Sequence, residues 1–135
     1  VGFVSPEGLR ADAANAYSIS QPGVNEWSLS GTWTIGAERA VLDKPDGSIV
    51  YRFSARDLHL VLGPGFRGKP VPFQVTIDGK APGSDRGADA DADGNGTVTS
   101  TRLYQLVRQS GDVEERTFEI RFFDSGVEAY AFTFG

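Results

Sequence analysis

The sequence predicts an all-β domain, an antiparallel β-sandwich, on three observations. Apolar residues recur at every second position through most of the chain, which is the period of a half-buried strand and not of a helix. The apolar runs are short and bounded by Gly, Pro, Asp or Asn, with 17 glycines and 7 prolines in 135 residues, the punctuation of many tight turns. Each run has one apolar face and one mixed face, as antiparallel sheets packed against each other require. A chain of this length is one domain and buries a core without disulfide or metal staples.

Residues 1–25 are poorly patterned and read as a lead-in from a preceding domain, with 26–135 as the sandwich module. An Ala-rich stretch within 7–17 predicts a turn of helix. From Trp27 onward, strands are predicted at 27–29 and 32–35, with Gly31 between them, and then at 40–42 and 48–55. In the last of these, Ile49, Tyr51 and Phe53 oppose Val50, Arg52 and Ser54. In a strand at 57–62, Leu58, Leu60 and Leu62 oppose Asp57, His59 and Val61. In one at 71–78, Val71, Phe73, Val75 and Ile77 oppose Gln74, Thr76 and Asp78, and Asp78-Gly79 is a tight-turn signal. Strands follow at 97–99 and 103–108. Leu103, Leu106 and Val107 also fit a helix face, but the run is short and its β neighbours favour a strand. At 116–123, Phe118, Ile120 and Phe122 oppose Glu119 and Arg121. At 127–134, Tyr130, Phe132 and Phe134 are assigned to the core, against Ala129, Ala131 and Thr133.

Net charge is −5 and the isoelectric point about 4.8. That balance argues against a nucleic-acid partner or an anionic membrane surface, both of which call for a basic patch. No run of about 18 apolar residues is present, so direct membrane insertion by this chain is not expected. The start, Val1 to Pro6, lacks the charged and apolar regions of a signal peptide and an initiator Met, which reads as an excised domain or processed product. Absence of cysteine removes disulfides, thiolate metal sites and Cys nucleophiles together. No G-x-S-x-G, P-loop or H-E-x-x-H pattern occurs, and the Gly-rich 63–69 reads as a hairpin loop. The chain is therefore not expected to be an enzyme. Asp57 with Glu119 could meet the carboxylate spacing of a glycosidase only by chance.

The segment 89–96 begins as an EF-hand calcium loop does, with D-x-D-x-D-G spacing. On that reading calcium is the candidate cofactor, held by Asp89, Asp91, Asp93 and the backbone carbonyl of Asn95, with Asp85 able to substitute from outside. Position twelve, where a bidentate Glu closes the cage, is Ser100, and the preceding 81–87 is too rich in Pro and Gly for an entering helix. Any ion here is expected to brace a loop between two strands. The alternative is an Asx-rich turn.

Four longer strings, EWSLSGTWT at 26–34, FSARDLHLVLGP at 53–64, RLYQLVRQ at 102–109 and GVEAYAFTFG at 126–135, resemble the C-terminal domain of DipZ-type cytochrome c biogenesis and thiol–disulfide interchange proteins. SPEGL at 5–9 resembles the segment that leaves the thioredoxin-like domain in that family. The resemblance covers nearly the whole chain. It implies a jelly-roll-like sandwich similar to carbohydrate-binding modules, following a thioredoxin-like domain in a membrane-anchored, extracytoplasmic (periplasmic) protein. It implies no redox activity here, because the C-x-x-C motif belongs to the neighbouring domain.

Saccharide binding calls for flat aromatic faces and planar polar side chains. Trp27 and Trp33 are the candidate platforms, with Tyr104 as a further stacking ring; the alternative for the two tryptophans is that both plug the core at the edge of the sandwich. Arg52, His59, Gln74 and Arg121, beside Glu119, are the candidate hydrogen-bonding groups, provided that their strands share one sheet; the alternative is a solvated sheet face laced with weak ion pairs such as Glu119 with Arg52 or Arg121. The expected function is a non-catalytic accessory module that docks a glycan or cell-wall saccharide. The alternative is a protein-interaction or structural module packing on its own thioredoxin-like domain or on a redox client, with an apolar patch near Trp27 or Phe66.

Overall fold

The computed structural model describes residues 26–65 and 68–135, and the backbone of 14–17. Ten strands are present among them: β1 (Ala14–Tyr17), β2 (Trp27–Ile35), β3 (Ala40–Leu42), β4 (Gly47–Ser54), β5 (Asp57–Gly63), β6 (Val71–Ile77), β7 (Asn95–Val98), β8 (Arg102–Arg108), β9 (Glu115–Phe122) and β10 (Glu128–Phe134). A short 3₁₀ turn at Gly83–Asp85 lies in the long β6–β7 connection. All pairings are antiparallel. Among the described residues no helix is long and apolar enough to cross a membrane.

Strands β3 to β10 fall into two four-stranded orders, β3-β10-β5-β8 and β4-β9-β6-β7. Strands distant in the chain are thus neighbours in each sheet, the double Greek key of a jelly roll. Strand β2 joins the two sheets. Trp27 to Ser30 pair with β4 in the second sheet, and Trp33 to Ile35 pair with β3 in the first. The two strands expected at 27–29 and 32–35 are therefore one strand that changes sheet at Gly31. Gly31 has φ +101°, and a Cβ there would lie 2.8 Å from the Cα of Gly47, so both its conformation and the approach of β4 need a residue without a side chain. The Trp33 indole Nε1 donates to the Ser30 carbonyl at 2.8 Å, across the switch.

The strand period assigns the core correctly in most places. Ile49, Tyr51 and Phe53 of β4, Leu58, Leu60 and Leu62 of β5, Phe73, Val75 and Ile77 of β6, and Phe118, Ile120 and Phe122 of β9 are all buried between the sheets. Their rings interlock across the gap and, for Phe73 with Phe122, within the second sheet. Trp33 meets Phe122 edge-on at 6.2 Å, Phe73 meets both Phe122 and Tyr104 at 6.5 Å, and Tyr51 lies 4.7 Å from Phe132. Such pairs add roughly 0.5–1.5 kcal/mol each beyond the area that they bury.

Three departures have local causes. Ala14–Tyr17, expected within the lead-in and near a helical turn, is a strand pairing with Gly31 to Thr34. The open edge of β2 offers a hydrogen-bond ladder that outweighs the small helix preference of alanine. The rest of 7–17 and of the lead-in lies outside the described residues. In β10 the register slips between Ala129 and Ala131, leaving Tyr130 as an extra residue. The alternation inverts there: Ala129 and Phe132 are buried and Tyr130 is only half-buried, while Phe134 packs against the core as expected. In β8 a similar irregularity opposite Leu58 and His59 leaves Leu106 extra, so Leu106 and Val107 are both buried in a strand. The Asp78-Gly79 turn forms as expected, with Asp78 at φ +53° and Ile77 and Lys80 exchanging both backbone hydrogen bonds.

Candidate functional site

The two outer faces of the sandwich carry the polar candidates, and they carry them apart. Opposite parity to the core puts Arg52 (β4), Gln74 (β6), Glu119 and Arg121 (β9) on the outer face of the second sheet. His59 stands on the outer face of the first sheet, beside Gln105 and Thr133 in register, with its Nδ1 3.3 Å from the Thr133 hydroxyl. His59 therefore does not join the other four. Asp57 lies on the first sheet too, 3.9 Å from Arg108, while Glu119 is on the second, so these carboxylates do not form a dyad.

The aromatic candidates are inside. Trp33 and Tyr104 have no exposed surface and Trp27 is 6% exposed, so none offers a flat face to a ligand. Tyr104 shows why. Its hydroxyl donates to the Ser100 carbonyl at 2.7 Å and accepts from the backbone N–H of Thr99 at 3.1 Å and of Ser100 at 3.3 Å. Its ring packs on Phe73 and lies under the Arg102 guanidinium at 3.8 Å. It anchors the β7–β8 turn. Phe66 lies outside the described residues.

On the second sheet, Gln74 and Arg121 are directly opposed, and Asn95 of β7 opposes Gln74 on its far side. Phe123, two residues after Arg121, extends the same outer row. Its backbone N–H donates to the Pro72 carbonyl at 3.1 Å, and the Arg121 guanidinium lies 5.4 Å from its ring centroid. This half-buried ring is the aromatic that the face does carry. The signal was in the sequence: in a strand of period two, the doublet Phe122-Phe123 sends one ring inward and one outward. The β2–β4 side of this face is closed, with Ser28, Ser48 and Val50 all buried. The open part is thus the β9–β6–β7 side, where Arg121 is 54% exposed and reaches Asp46 at 3.2 Å. Arg52 is held two rows away, donating to Thr117 at 2.7 Å and to Glu115 at 2.8 Å.

The acidic loop is organised around internal partners. Asp91 Oδ1 accepts the N–H groups of Asp93 at 3.0 Å and Asn95 at 2.9 Å, an Asx turn. Asp89 is turned the other way, to Arg102 at 2.8 Å and to the Gln105 N–H at 2.7 Å, and its own N–H donates to the Gln105 carbonyl. It clips the loop to the exposed edge of β8. Asp85 accepts from the N–H and hydroxyl of Ser110, both at 2.8 Å. Among the described residues no three acidic, His or Cys side chains gather as a metal cage. Of the donor set expected from Asp89, Asp91, Asp93 and Asn95, the Asp89 and Asp91 carboxylates are thus each engaged with separate protein donors. The Asp93 carbonyl instead meets the Gln74 amide at 3.4 Å, so the loop braces the sheet face.

The Arg102 hydrogen bond, with the Gln105 N–H, holds the Asp89 carboxyl below its ordinary value of 3.8 against the opposing effect of burial. A depressed folded pKa means that the ionised form stabilises the fold. The contribution is complete above the unfolded value and is lost as pH falls through the folded one. The stability gap between the wild type and Asp89→Asn, measured by thermal unfolding, is therefore expected to be constant near neutrality and to narrow below about pH 4. A gap that stays constant into strong acid contradicts this role.

A family model described as a thioredoxin-like C-terminal domain matches residues 1–135. No curated protein matches the chain.

Proposed function

Because the chain belongs to the thioredoxin-like C-terminal domain family, we propose that it is a non-catalytic accessory module of an extracytoplasmic, membrane-anchored thioredoxin-like protein, and that it docks a cell-wall saccharide on the outer face of the second sheet. The observation that carries this reading is the row of Asn95, Gln74 and Arg121 across three neighbouring strands, with the Phe123 ring beside Arg121. Planar amide and guanidinium groups contact adjacent hydroxyls in pairs, and the ring covers the C–H side of a pyranose. Glu119, one outward row along, adds an acceptor. Docking would hold the redox domain near its clients. The site differs from the sequence expectation: Trp27, Trp33 and Tyr104 serve the core, and Arg52 is tethered elsewhere.

Arg121→Ala is expected to weaken binding of cell-wall oligosaccharides at least about tenfold, as loss of a charged hydrogen-bonding group does. Arg52→Ala is expected to leave affinity unchanged. Calorimetry on the isolated chain checks both. No binding of any saccharide, or equal loss in the two variants, overturns the reading.

A second reading is favoured by the first sheet. There Ala131, Val61 and Leu103 are opposed across three strands on the outer face, and Leu103 is 38% exposed. This stripe suits packing against the protein's own thioredoxin-like domain or a client.

A further inference from the structure

A cleft of about 380 Å³ opens at the end of the sandwich where three loops meet, near the lower limit of the roughly 300–1,000 Å³ of small-molecule sites. Asp43 and Pro45 come from the β3–β4 loop, Pro64, Gly65 and Lys69 from the β5–β6 loop, and Asp124, Ser125 and Gly126 from the β9–β10 loop. The walls are main chain held by main chain. Gly126 N–H donates to the Leu42 carbonyl at 2.7 Å, Leu42 N–H to the Val127 carbonyl at 3.0 Å, and Asp43 N–H to the Thr32 carbonyl at 2.8 Å. Gly65 and Gly126 have φ +86° and +98°, and a Cβ on Gly65 would collide with the Gly126 carbonyl. The two loops therefore touch backbone to backbone, and the concavity beside them is preformed.

The chemistry inside is mixed. Asp43, Lys69 and Asp124 are exposed, and none of them enters an ion pair among the described residues. The Thr34 hydroxyl donates to Asp43 Oδ2 at 2.7 Å and fixes that carboxylate. Among the described lining residues two carboxylates face one ammonium, a mixture without the cationic excess that selects for anions. They suit hydroxyl groups, which donate to the carboxylates and accept from Lys69, while the rings of Pro45 and Pro64 offer apolar edges.

We propose that this cleft is a second binding site, separate from the sheet face, and that it takes a single neutral sugar ring. The proposal stands on the cleft and not on the reading of the second sheet.

The test is titration of the ¹⁵N-labelled chain with methyl glycosides and, separately, with inorganic phosphate. The glycosides are expected to shift the amides of Gly65, Ser125 and Gly126. Asp124→Ala and Lys69→Ala, each checked for an unchanged dispersed spectrum, are expected to weaken that response about tenfold, and Arg121→Ala to leave it intact. The proposal is overturned if no neutral glycoside moves these amides, if phosphate moves them more strongly, if both cleft variants respond as the wild type does, or if Arg121→Ala abolishes the response. Cleft shifts that persist without any Arg121-sensitive binding would sink the sheet-face reading alone.

Discussion

Trp33→Ala is expected to cost about 3–5 kcal/mol of folding stability, the usual range for removing a large buried aromatic. The side chain has no exposed surface, meets Phe122 edge-on at 6.2 Å, and bonds through Nε1 to Ser30 across the point where β2 changes sheet. Truncation opens a cavity between the sheets and releases the clamp on the Gly31 switch together. Against the roughly 5–15 kcal/mol that keeps an ordinary domain folded, that loss brings the chain close to its unfolding threshold. Urea unfolding followed by circular dichroism measures it, and Trp33→Phe is expected to recover part of the loss by refilling the cavity. The result also separates two roles for this tryptophan. A surface platform truncated to alanine keeps its stability and loses its ligand, so an unchanged midpoint would contradict the buried role.

Gln109→Ala is expected to cost about 2–4 kcal/mol, from one polar side chain outside any strand. Gln109 is 1% exposed. Its amide nitrogen donates to the carbonyls of Ala55 and Glu114, both at 2.9 Å, and its Oε1 accepts the Glu114 N–H at 3.2 Å. Its backbone N–H donates to the Arg56 carbonyl at 2.8 Å. One residue thus ties the β4–β5 turn to the β8–β9 loop at the end of the sandwich. Removing the side chain takes the partner from three part-buried backbone groups, the Ala55 carbonyl and the Glu114 carbonyl and N–H, each such bond contributing about 0.5–1.5 kcal/mol. Gln109→Glu is expected to be worse at neutral pH, since a carboxylate faces two carbonyl oxygens, and to recover as acid protonates it. Denaturant midpoints for the three proteins decide this. Equal stability of the glutamine and alanine forms would contradict the clamp.

The strands were legible because a half-buried strand writes its two faces into alternate residues, and the inner rows of β4, β5, β6 and β9 follow that rule without interruption. The rule failed where an extra residue slipped the register, at Tyr130 and Leu106, because a bulge is set by the partner strand and leaves no mark in composition. It was also silent on edges. Ala14–Tyr17 is a strand because β2 offers it a ladder, which local propensity does not record. For the candidate site, Gln74, Glu119 and Arg121 were found from parity alone. Phe123 was missed although the Phe122-Phe123 doublet implied an outward ring. Whether Trp27, Trp33 and Tyr104 face a ligand or the core is open in the sequence, because an aromatic between polar neighbours reads alike in either place, and the fold puts all three inside.

The amino-acid sequence by itself determined that this protein is an antiparallel sandwich, which residues line most of its core, and which polar side chains stand outside. Those are properties of single strands, carried by neighbours two residues apart. Tertiary structure alone decided which strands share a sheet, and so that Gln74 and Arg121 meet while His59 lies on the other sheet. It alone turned Asp89 to Arg102, away from a shared metal cage. It also brought three loops together around the cleft at the end of the sandwich. Such outcomes depend on contacts between residues tens of positions apart, whose energies exist only once the chain has closed its Greek keys.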